Sequence, residues 1–428
     1  MGLTSGGPLA LVIVLGALLF GGTVVCWPRL ASRGPRFVAG RVVLLTATQC
    51  AVLTAVCLAA NQTFGFYAGW ADLFGRESAR GGGGGGGGAG GGGGGAGGGG
   101  AAHPGAPPRP PTPRSASPGG GGGFWGGGGG GGGGPPPPTA GGGGPRGPVQ
   151  VVSTRRIEVP GGERPQIGGR LQKVEIVGRR THLVTPAYVY LPPEYFQPGH
   201  RARAFPVAVV LTGYPGTAEA LVKGLRYPQT AHALAAGGRM RPMILVMLRP
   251  TVAPPRDTEC VDVPGGPQAE TFFAEDLPYA VSRHYRAAGG PRGWGVIGDS
   301  TGGYCALKLA IHHPGTYAAG AGLSPYYRAP VDPTTGDLFH GDEELRSGAD
   351  LVWYLEHRPA PDTSLLVTSS RRGEGNYRET LRFIELVRDR KPTRISSIIL
   401  GSGGHNFNTW RREIPAALRW MSGRIADG

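Results

Sequence analysis

The sequence predicts an α/β fold for residues 149–428, a mostly parallel sheet with helices on both faces, preceded by two transmembrane helices and a disordered Gly/Pro-rich linker. Continuous apolar runs alternate with helical patterns in the C-terminal part, which is typical of a buried parallel sheet. Two uncharged apolar runs lie within residues 1–80. Residues 81–148 contain 38 of the 82 Gly and 13 of the 41 Pro. Such a segment has too few apolar side chains to become ordered by burying them.

The N-terminal runs cover residues 8–27 and 42–60. Each has the roughly 20 residues that a bilayer crossing requires. Four arginines lie between the runs or flank them, namely Arg29, Arg33, Arg36 and Arg41. This predicts a two-pass protein of the cell membrane with the C-terminal domain on the extracytoplasmic side. A cleaved signal peptide is the alternative, although the basic n-region and A-x-A site that it requires are missing.

The charge pattern argues against a nucleic-acid partner. The net charge is +15, split between the first 148 residues (+7) and the rest (+8), and the arginines are scattered rather than grouped on a basic helix. Without a C-x-x-C motif or a His/Cys cluster, the sequence predicts neither a metal nor a cofactor. Cys260 and Cys305 are the two cysteines of the C-terminal part, and the spacing leaves open whether they form a disulfide.

The elements of the C-terminal domain follow from the apolar periodicity. Predicted strands cover residues 172–177, 187–191, 206–211, 243–248, 293–297, 318–323, 364–368 and 395–400. Predicted helices cover residues 218–236, 270–286, 302–312, 377–390 and 408–421. In open sheets of this kind, functional sites lie at the carboxyl ends of the strands.

One strand end carries a G-x-S-x-G motif centred on Ser300, with a strand before it and a helix after it. Gly298 and Gly302 permit the tight strand-to-helix turn that holds a serine hydroxyl above the sheet. This context favours a nucleophile over an ordinary turn serine. A serine nucleophile needs a base to take its proton.

His405 follows the last apolar strand and precedes the last helix, which is the position expected of that base. A helix-capping loop histidine is the alternative. His312 and His313 lie on the helix after Ser300, and two further candidates, His340 and His357, fall in a polar insertion.

The acid of a triad should follow the strand at 364–368, where Glu374 is the one carboxylate of the loop. Its role would be to orient the imidazole and stabilise the imidazolium. A surface ion pair with nearby arginines is the alternative. The oxyanion hole is predicted from backbone amides, those of Thr301 and of Gly213 and Tyr214 in the loop after the strand at 206–211.

Residues 172–421 resemble the esterase D and mycolyltransferase branch of the α/β-hydrolases. The similarity lies in YVYLPPEYF (188–196), FPVAVVLTGYPG (205–216), GDSTGG (298–303) and GGHNFNTW (403–410). The resemblance implies an α/β-hydrolase fold with Ser300 as nucleophile, His405 as base and Glu374 as acid, acting on acyl esters or envelope lipids. The loop around Glu374 departs from the G-x-x-D style of that family.

Three functions remain open on this basis. The first is a membrane-tethered serine hydrolase of carboxylic esters. The second is an acyltransferase of cell-envelope lipids or glycolipids that passes the acyl group to a hydroxyl instead of water. The third is a catalytically inactive binding module on a long tether. Residues 257–262 (DTECVD) would line the acyl or alcohol site, or form an ordinary polar loop.

Overall fold

The computed structural model describes residues 6–31, 34–64, 147–159 and 166–427. The linker predicted at 81–148 therefore lies outside the described residues, apart from its last two positions. The linker and the domain boundaries stay predictions.

Two long apolar helices form the described N-terminal part: α1 (Gly6–Leu30) and α2 (Pro35–Phe64). Their candidate spans, Gly7–Leu30 and Pro35–Ala59, have mean hydropathies of 2.6 and 2.1 and are almost entirely unburied. The helix of a soluble core would instead bury its apolar side chains. Both helices extend beyond the uncharged runs, because the flanking arginines are compatible with helical structure.

The described C-terminal residues form one nine-stranded sheet, in the order β1-β2-β3-β5-β4-β6-β7-β8-β9. The strands are β1 (Val149–Val159), β2 (Gln166–Val177), β3 (Val184–Leu191), β4 (Val207–Leu211), β5 (Ile244–Leu248), β6 (Trp294–Asp299), β7 (Ala319–Leu323), β8 (Ser364–Ser370) and β9 (Arg394–Leu400). β1, β2, β3 and β5 pair antiparallel, and all pairs from β5 through β4 to β9 are parallel. The predicted fold class is confirmed.

Helices cover both faces of this sheet. They are α3 (Tyr227–Ala236), α4 (Leu277–His284), α5 (Thr301–His312), α6 (Glu343–Gly348), α7 (Leu351–His357), α8 (Tyr377–Arg388) and α9 (Phe407–Ser422). In β4 the alternate side chains Val207, Val209 and Leu211 pack into one core cluster, and Ala208 and Val210 pack into another. A strand buried on both faces reads as a continuous apolar run, which explains the sequence pattern.

The prediction of one continuous helix over 218–236 is wrong in the middle of that range. A π-helical segment, Ala220–Gly224, is followed by Arg226 at φ +56° before α3 begins. Pro228 has no N–H to donate to the carbonyl of Gly224 four residues earlier. The side chain of Arg411 donates to that carbonyl instead, at 2.7 Å.

The strand register sets the position of the site. Leu211 lies opposite Gly298, Asp299 opposite Leu323, and Ser370 opposite Leu400. The parallel strands therefore end along the same edge, and the loops that follow β4, β6, β7, β8 and β9 meet there. The polar insertion between β7 and β8, which has no predicted element, contains α6 and α7.

Candidate active site

Ser300 lies in a strained turn between β6 and α5. Its backbone has φ +53° and ψ −121°, a conformation that a non-glycine residue rarely adopts, and its amide donates to Leu323 O at 3.0 Å. A Cβ on Gly298 would collide with the carbonyl of Gly302, and one on Gly302 with the carbonyl of Leu211. Only glycines at these two positions permit the turn as built, which accounts for the G-x-S-x-G spacing.

His405 reaches the side chain of Ser300 from the loop between β9 and α9. Its Nε2 lies 2.8 Å from Ser300 Oγ, so an imidazole protonated at Nδ1 accepts the serine proton. The Asn406 side chain caps α9, which fixes the end of this loop. The imidazole also packs edge-on against Trp410, at 5.1 Å between ring centroids.

Glu374 lies behind the imidazole, in the loop between β8 and α8. Its Oε2 is 3.6 Å from His405 Nδ1, an ion-pair distance rather than a hydrogen bond. The Glu374 side chain is 1% exposed and that of His405 is 45% exposed, so the carboxylate is enclosed while the imidazole faces solvent. Ser324 Oγ donates to Glu374 Oε1 at 2.8 Å. This burial is incompatible with the alternative of a surface ion pair.

The loops that carry Glu374 and His405 are joined through their backbones. Arg371 N donates to Leu400 O at 2.9 Å, and Gly403 N donates to Arg372 O at 3.0 Å. Gly373 has φ +93°, and a Cβ there would collide with the carbonyl of Gly403. Close packing of the two loops thus requires glycine at residue 373.

The amide donors of the predicted oxyanion hole are only partly available. Gly213 N already donates to Asp299 Oδ2 at 3.0 Å. A Cβ on Gly213 would lie 2.9 Å from Ser300 Cβ, so this loop does pass directly beside the nucleophile. Thr301 opens α5, and an amide in a first helical turn has no intrahelical acceptor. Gly213 is therefore already engaged, and the assignments of Thr301 and Tyr214 stay predictions.

Two more buried carboxyl groups flank the site. Burial raises the pKa of Asp299 to about 7. Burial, and secondarily the Glu374 carboxylate, raises the pKa of Glu413 to about 8, although Thr368 Oγ1 donates to it at 2.8 Å. Both groups therefore favour the neutral form more than an ordinary carboxyl group does.

The acidic loop at 257–262 lies next to the residue after the nucleophile. Thr301 Oγ1 is 3.4 Å from Asp257 Oδ2, and Tyr326 OH donates to the Glu259 carboxylate at 2.6 Å. Burial raises the pKa of Asp257 to about 6. Burial, together with the charge of Asp257, raises the pKa of Glu259 well above its ordinary range. This loop is therefore buried against the site and is not an ordinary exposed loop.

The two cysteines of the C-terminal part form a disulfide, Cys260–Cys305. The bond joins the acidic loop to α5, the helix that begins immediately after Ser300. Lys308, on the same helix, donates to the carbonyl of Cys260 at 2.6 Å.

The other candidate histidines have different partners. His312 Nδ1 and His313 Nε2 both contact Glu270 Oε1, at 2.8 and 2.9 Å. His357 Nδ1 lies 2.8 Å from the carbonyl of Trp353, in its own helix. Within the described residues, no group of three or more His, Cys, Asp or Glu side chains could hold a metal ion.

Four residues at the site were not predicted as site residues from the sequence: Ser324, Trp410, Asp299 and Glu413. Ser324 follows β7, at the same edge of the sheet as the nucleophile, and this strand-end position is the signal that could have identified it. Asp299 immediately precedes the nucleophile, but its contact with Gly213 depends on strand register. No local pattern marks Glu413, which lies on a helix face.

Comparison with protein-family models identifies the family of the C-terminal domain. The model described as "Putative esterase" matches residues 180–421, more than half of the chain. The chain belongs to this esterase family, and its domain has the α/β-hydrolase fold.

Three proteins to which this chain is similar share only a small part of its sequence. An uncharacterized protein of Corynebacterium glutamicum is 25% identical over 249 residues, which cover 56% of this chain and 57% of the relative. The chain thus matches little more than half the length of that relative. An S-formylglutathione hydrolase from Agrobacterium tumefaciens has a TM-score of 0.51 at 15% identity, covering 65% of this chain and all of that one. A ferulic acid esterase has a TM-score of 0.51 at 17% identity, covering 60% of this chain and 97% of that one. At these identities the likeness shows the fold alone.

Proposed function

We propose that this protein is a membrane-tethered serine esterase that hydrolyses acyl esters through an acyl-enzyme. This proposal rests on the 2.8 Å contact between His405 Nε2 and Ser300 Oγ, with the buried Glu374 carboxylate on the Nδ1 side of the ring. Nucleophile, base and orienting acid stand in the order that a triad requires.

In the proposed reaction, Ser300 Oγ attacks the ester carbonyl carbon while His405 Nε2 takes the hydroxyl proton. The amides of Thr301 and Tyr214 stabilise the negative oxygen of the tetrahedral intermediate. His405 then gives its proton to the leaving alcohol, and the acyl group remains on Ser300. Water, deprotonated by the same imidazole, attacks the acyl-enzyme, and collapse releases the acid and restores Ser300.

Hydrolysis is favoured over acyl transfer by the exposure of the base. The His405 side chain is 45% exposed, so bulk water reaches the group that must activate the second nucleophile. Efficient transfer to a sugar or lipid hydroxyl requires that water be excluded from the acyl-enzyme. The acyltransferase of envelope lipids is therefore the second candidate.

The test uses the full chain in detergent micelles, treated with a fluorophosphonate probe and with short- and long-chain acyl esters. We expect the wild type to be labelled and to cleave esters, and Ser300→Ala and His405→Ala to do neither. Ser402→Ala, which removes an exposed hydroxyl from the loop of His405, is the matched control and should behave as the wild type.

A folded wild type that neither reacts with the probe nor cleaves any ester would favour the inactive binding module. Repeating the assay with a sugar acceptor separates the two catalytic candidates. An acyl-sugar product formed in excess of free acid would favour the acyltransferase.

Membrane tethering is proposed from the two apolar helices, and the extracytoplasmic position of the hydrolase domain from the arginines between them. A membrane-impermeant fluorophosphonate tests both on intact cells. Labelling of intact cells supports the outward orientation. Labelling only after permeabilisation would place the domain in the cytoplasm, and recovery of the labelled protein in the soluble fraction would exclude the tether.

A further inference from the structure

The side chain of Ser324 connects the acid of the site to the helix that follows the base. Ser324 comes directly after β7, with φ +48°, and its amide donates to Thr368 Oγ1 at 3.0 Å. The preceding residue, Leu323, accepts the amide of Ser300. The backbone of Ser324 is therefore held beside the nucleophile by bonds that do not involve its hydroxyl group.

The hydroxyl has two partners, and their chemistry fixes its proton. Trp410 Nε1 lies 2.9 Å from Ser324 Oγ, and Glu374 Oε1 lies 2.8 Å from the same oxygen. An indole N–H can only donate, so Ser324 Oγ must accept from Trp410. The hydroxyl proton of Ser324 is then directed to the carboxylate, which can only accept when it is ionised.

This relay settles which oxygen of the acid serves which partner. With Oε1 held by Ser324, the other oxygen, Oε2, faces His405 Nδ1 at 3.6 Å. The Trp410 ring that fixes the serine also packs edge-on against the imidazole. One indole thus contacts the base directly and the acid through one hydroxyl group.

The surroundings make this orientation necessary. Glu413, whose Oε2 accepts from Thr368 Oγ1 at 2.8 Å, is a second buried carboxyl group near Glu374. Negative charge on it would repel the Glu374 carboxylate. Burial holds Glu413 mainly neutral at neutral pH, so the donor on Oε1 acts chiefly by stabilising the charge of the enclosed Glu374 carboxylate.

We propose that Ser324 is the positioning residue of Glu374, with its proton directed by Trp410 Nε1, so that the acid presents Oε2 to His405. This inference rests on the proposed function, because it assigns the support of the same triad. It adds two residues that lie outside the nucleophile, base, acid and oxyanion donors.

The test measures ester hydrolysis by the full chain carrying Ser324→Ala or Trp410→Phe. Ser324→Ala removes a hydrogen bond to a charged group, and this loss should lower kcat about 10- to 100-fold. KM should stay within about 3-fold, because substrate is not contacted. Trp410→Phe keeps the ring beside His405 and removes only the N–H, so a smaller fall of about 3- to 10-fold is expected.

Matched controls are available for both changes. Ser370 at the end of β8 and Trp420 on α9 each have a buried polar atom without a hydrogen-bond partner among the described residues. Ser370→Ala and Trp420→Phe therefore remove a serine hydroxyl and an indole N–H, as the test variants do, but without breaking a hydrogen bond. Both should leave kcat unchanged, and an equal loss in a control would show that the effect is unspecific packing.

Non-additivity separates positioning from a general structural role. In a Glu374→Ala background, where we expect low residual activity, Ser324→Ala should cause no further loss of kcat, because the group on which it acts is gone. A further loss equal to that seen in the wild type would overturn the inference. If Ser324→Ala does not fold, Ser324→Gly removes the hydroxyl while accepting the positive φ.

Different results would overturn the role of Ser324 and the proposed function. A wild type that hydrolyses esters while Ser324→Ala and Trp410→Phe retain full kcat overturns this inference alone. A folded wild type that is inert to the fluorophosphonate and to esters overturns the proposed function, and the inference with it.

Discussion

Glu413 provides the sharpest test of the electrostatics around the site. The residue is fully buried on α9, its Oε2 accepts from Thr368, and its Oε1 has no hydrogen-bond partner among the described residues. Burial and the neighbouring Glu374 carboxylate raise the pKa of Glu413 from 4.5 to about 8. At neutral pH the folded protein therefore holds this group in its protonated form.

The substitution Glu413→Gln imitates the protonated glutamic acid and retains an acceptor for the Thr368 hydroxyl. Because the folded pKa of Glu413 exceeds its unfolded value, unfolding releases a proton between about pH 4.5 and pH 8, and the free energy of unfolding of the wild type falls with pH across that window. Each pH unit corresponds to about 1.4 kcal/mol, so the full window amounts to about 5 kcal/mol. Because Gln does not titrate, the free energy of unfolding of Glu413→Gln should not show this decrease with pH.

The assay is urea unfolding of the full chain in detergent, followed by tryptophan fluorescence from pH 4.5 to pH 9. The free energy of unfolding of Glu413→Gln minus that of the wild type should rise by about 1 kcal/mol or more per pH unit and level off above pH 8. Glu379→Gln makes the same chemical change at an exposed position of α8 and should give a flat difference. Parallel curves for Glu413→Gln and the wild type would refute the assignment of a raised pKa.

Three further predictions concern the turn, the acid and the sheet. Gly302→Ala should lower kcat/KM at least about 100-fold, measured by ester hydrolysis, because the added Cβ would collide with the carbonyl of Leu211 and shift the nucleophile; unchanged kinetics would contradict it. Glu374→Gln should lower kcat about 10³- to 10⁴-fold in the same assay, since the imidazolium loses its counter-charge, and a loss below 10-fold would remove Glu374 from the triad. Asp276→Ala should lower the free energy of unfolding by about 2 kcal/mol in urea titration, because the carboxylate accepts from the amides of Arg180 and Thr181 in the β2–β3 turn; an unchanged midpoint would refute that role.

Much of the fold could be predicted from local pattern. β4, β5 and β6 are continuous apolar runs because both of their faces are covered, and G-x-S-x-G marks its own turn because each glycine avoids a backbone collision. Ser300, His405 and Glu374 each follow a strand at one edge of the sheet. Strand order along the chain was therefore enough to predict that they lie close together.

The rest depends on contacts between distant segments. The break in the helix before α3 is stabilised by Arg411, which lies 187 residues after its acceptor Gly224. The Gly213 amide, predicted as an oxyanion donor, donates to Asp299 instead, because the register of β4 against β6 brings Asp299 within its reach. Apolar periodicity contains no information about which buried polar groups meet, so neither contact was predictable from pattern alone.

Charge balance explains why one of three neighbouring carboxyl groups is suited to the role of the acid. In the proposed mechanism, His405 gains one positive charge when it accepts the serine proton, and one anion can neutralise that charge. Asp299 and Glu413 have raised pKa values and so resist becoming that anion. Glu374 differs from them in its position, because its Oε2 faces Nδ1 of the imidazole at 3.6 Å while Ser324 Oγ donates to its Oε1. Adding charge at either of the other two positions would compete for the imidazolium without the geometry to orient it, so the neutrality of Asp299 and Glu413 serves the same end as the hydrogen bond to Glu374.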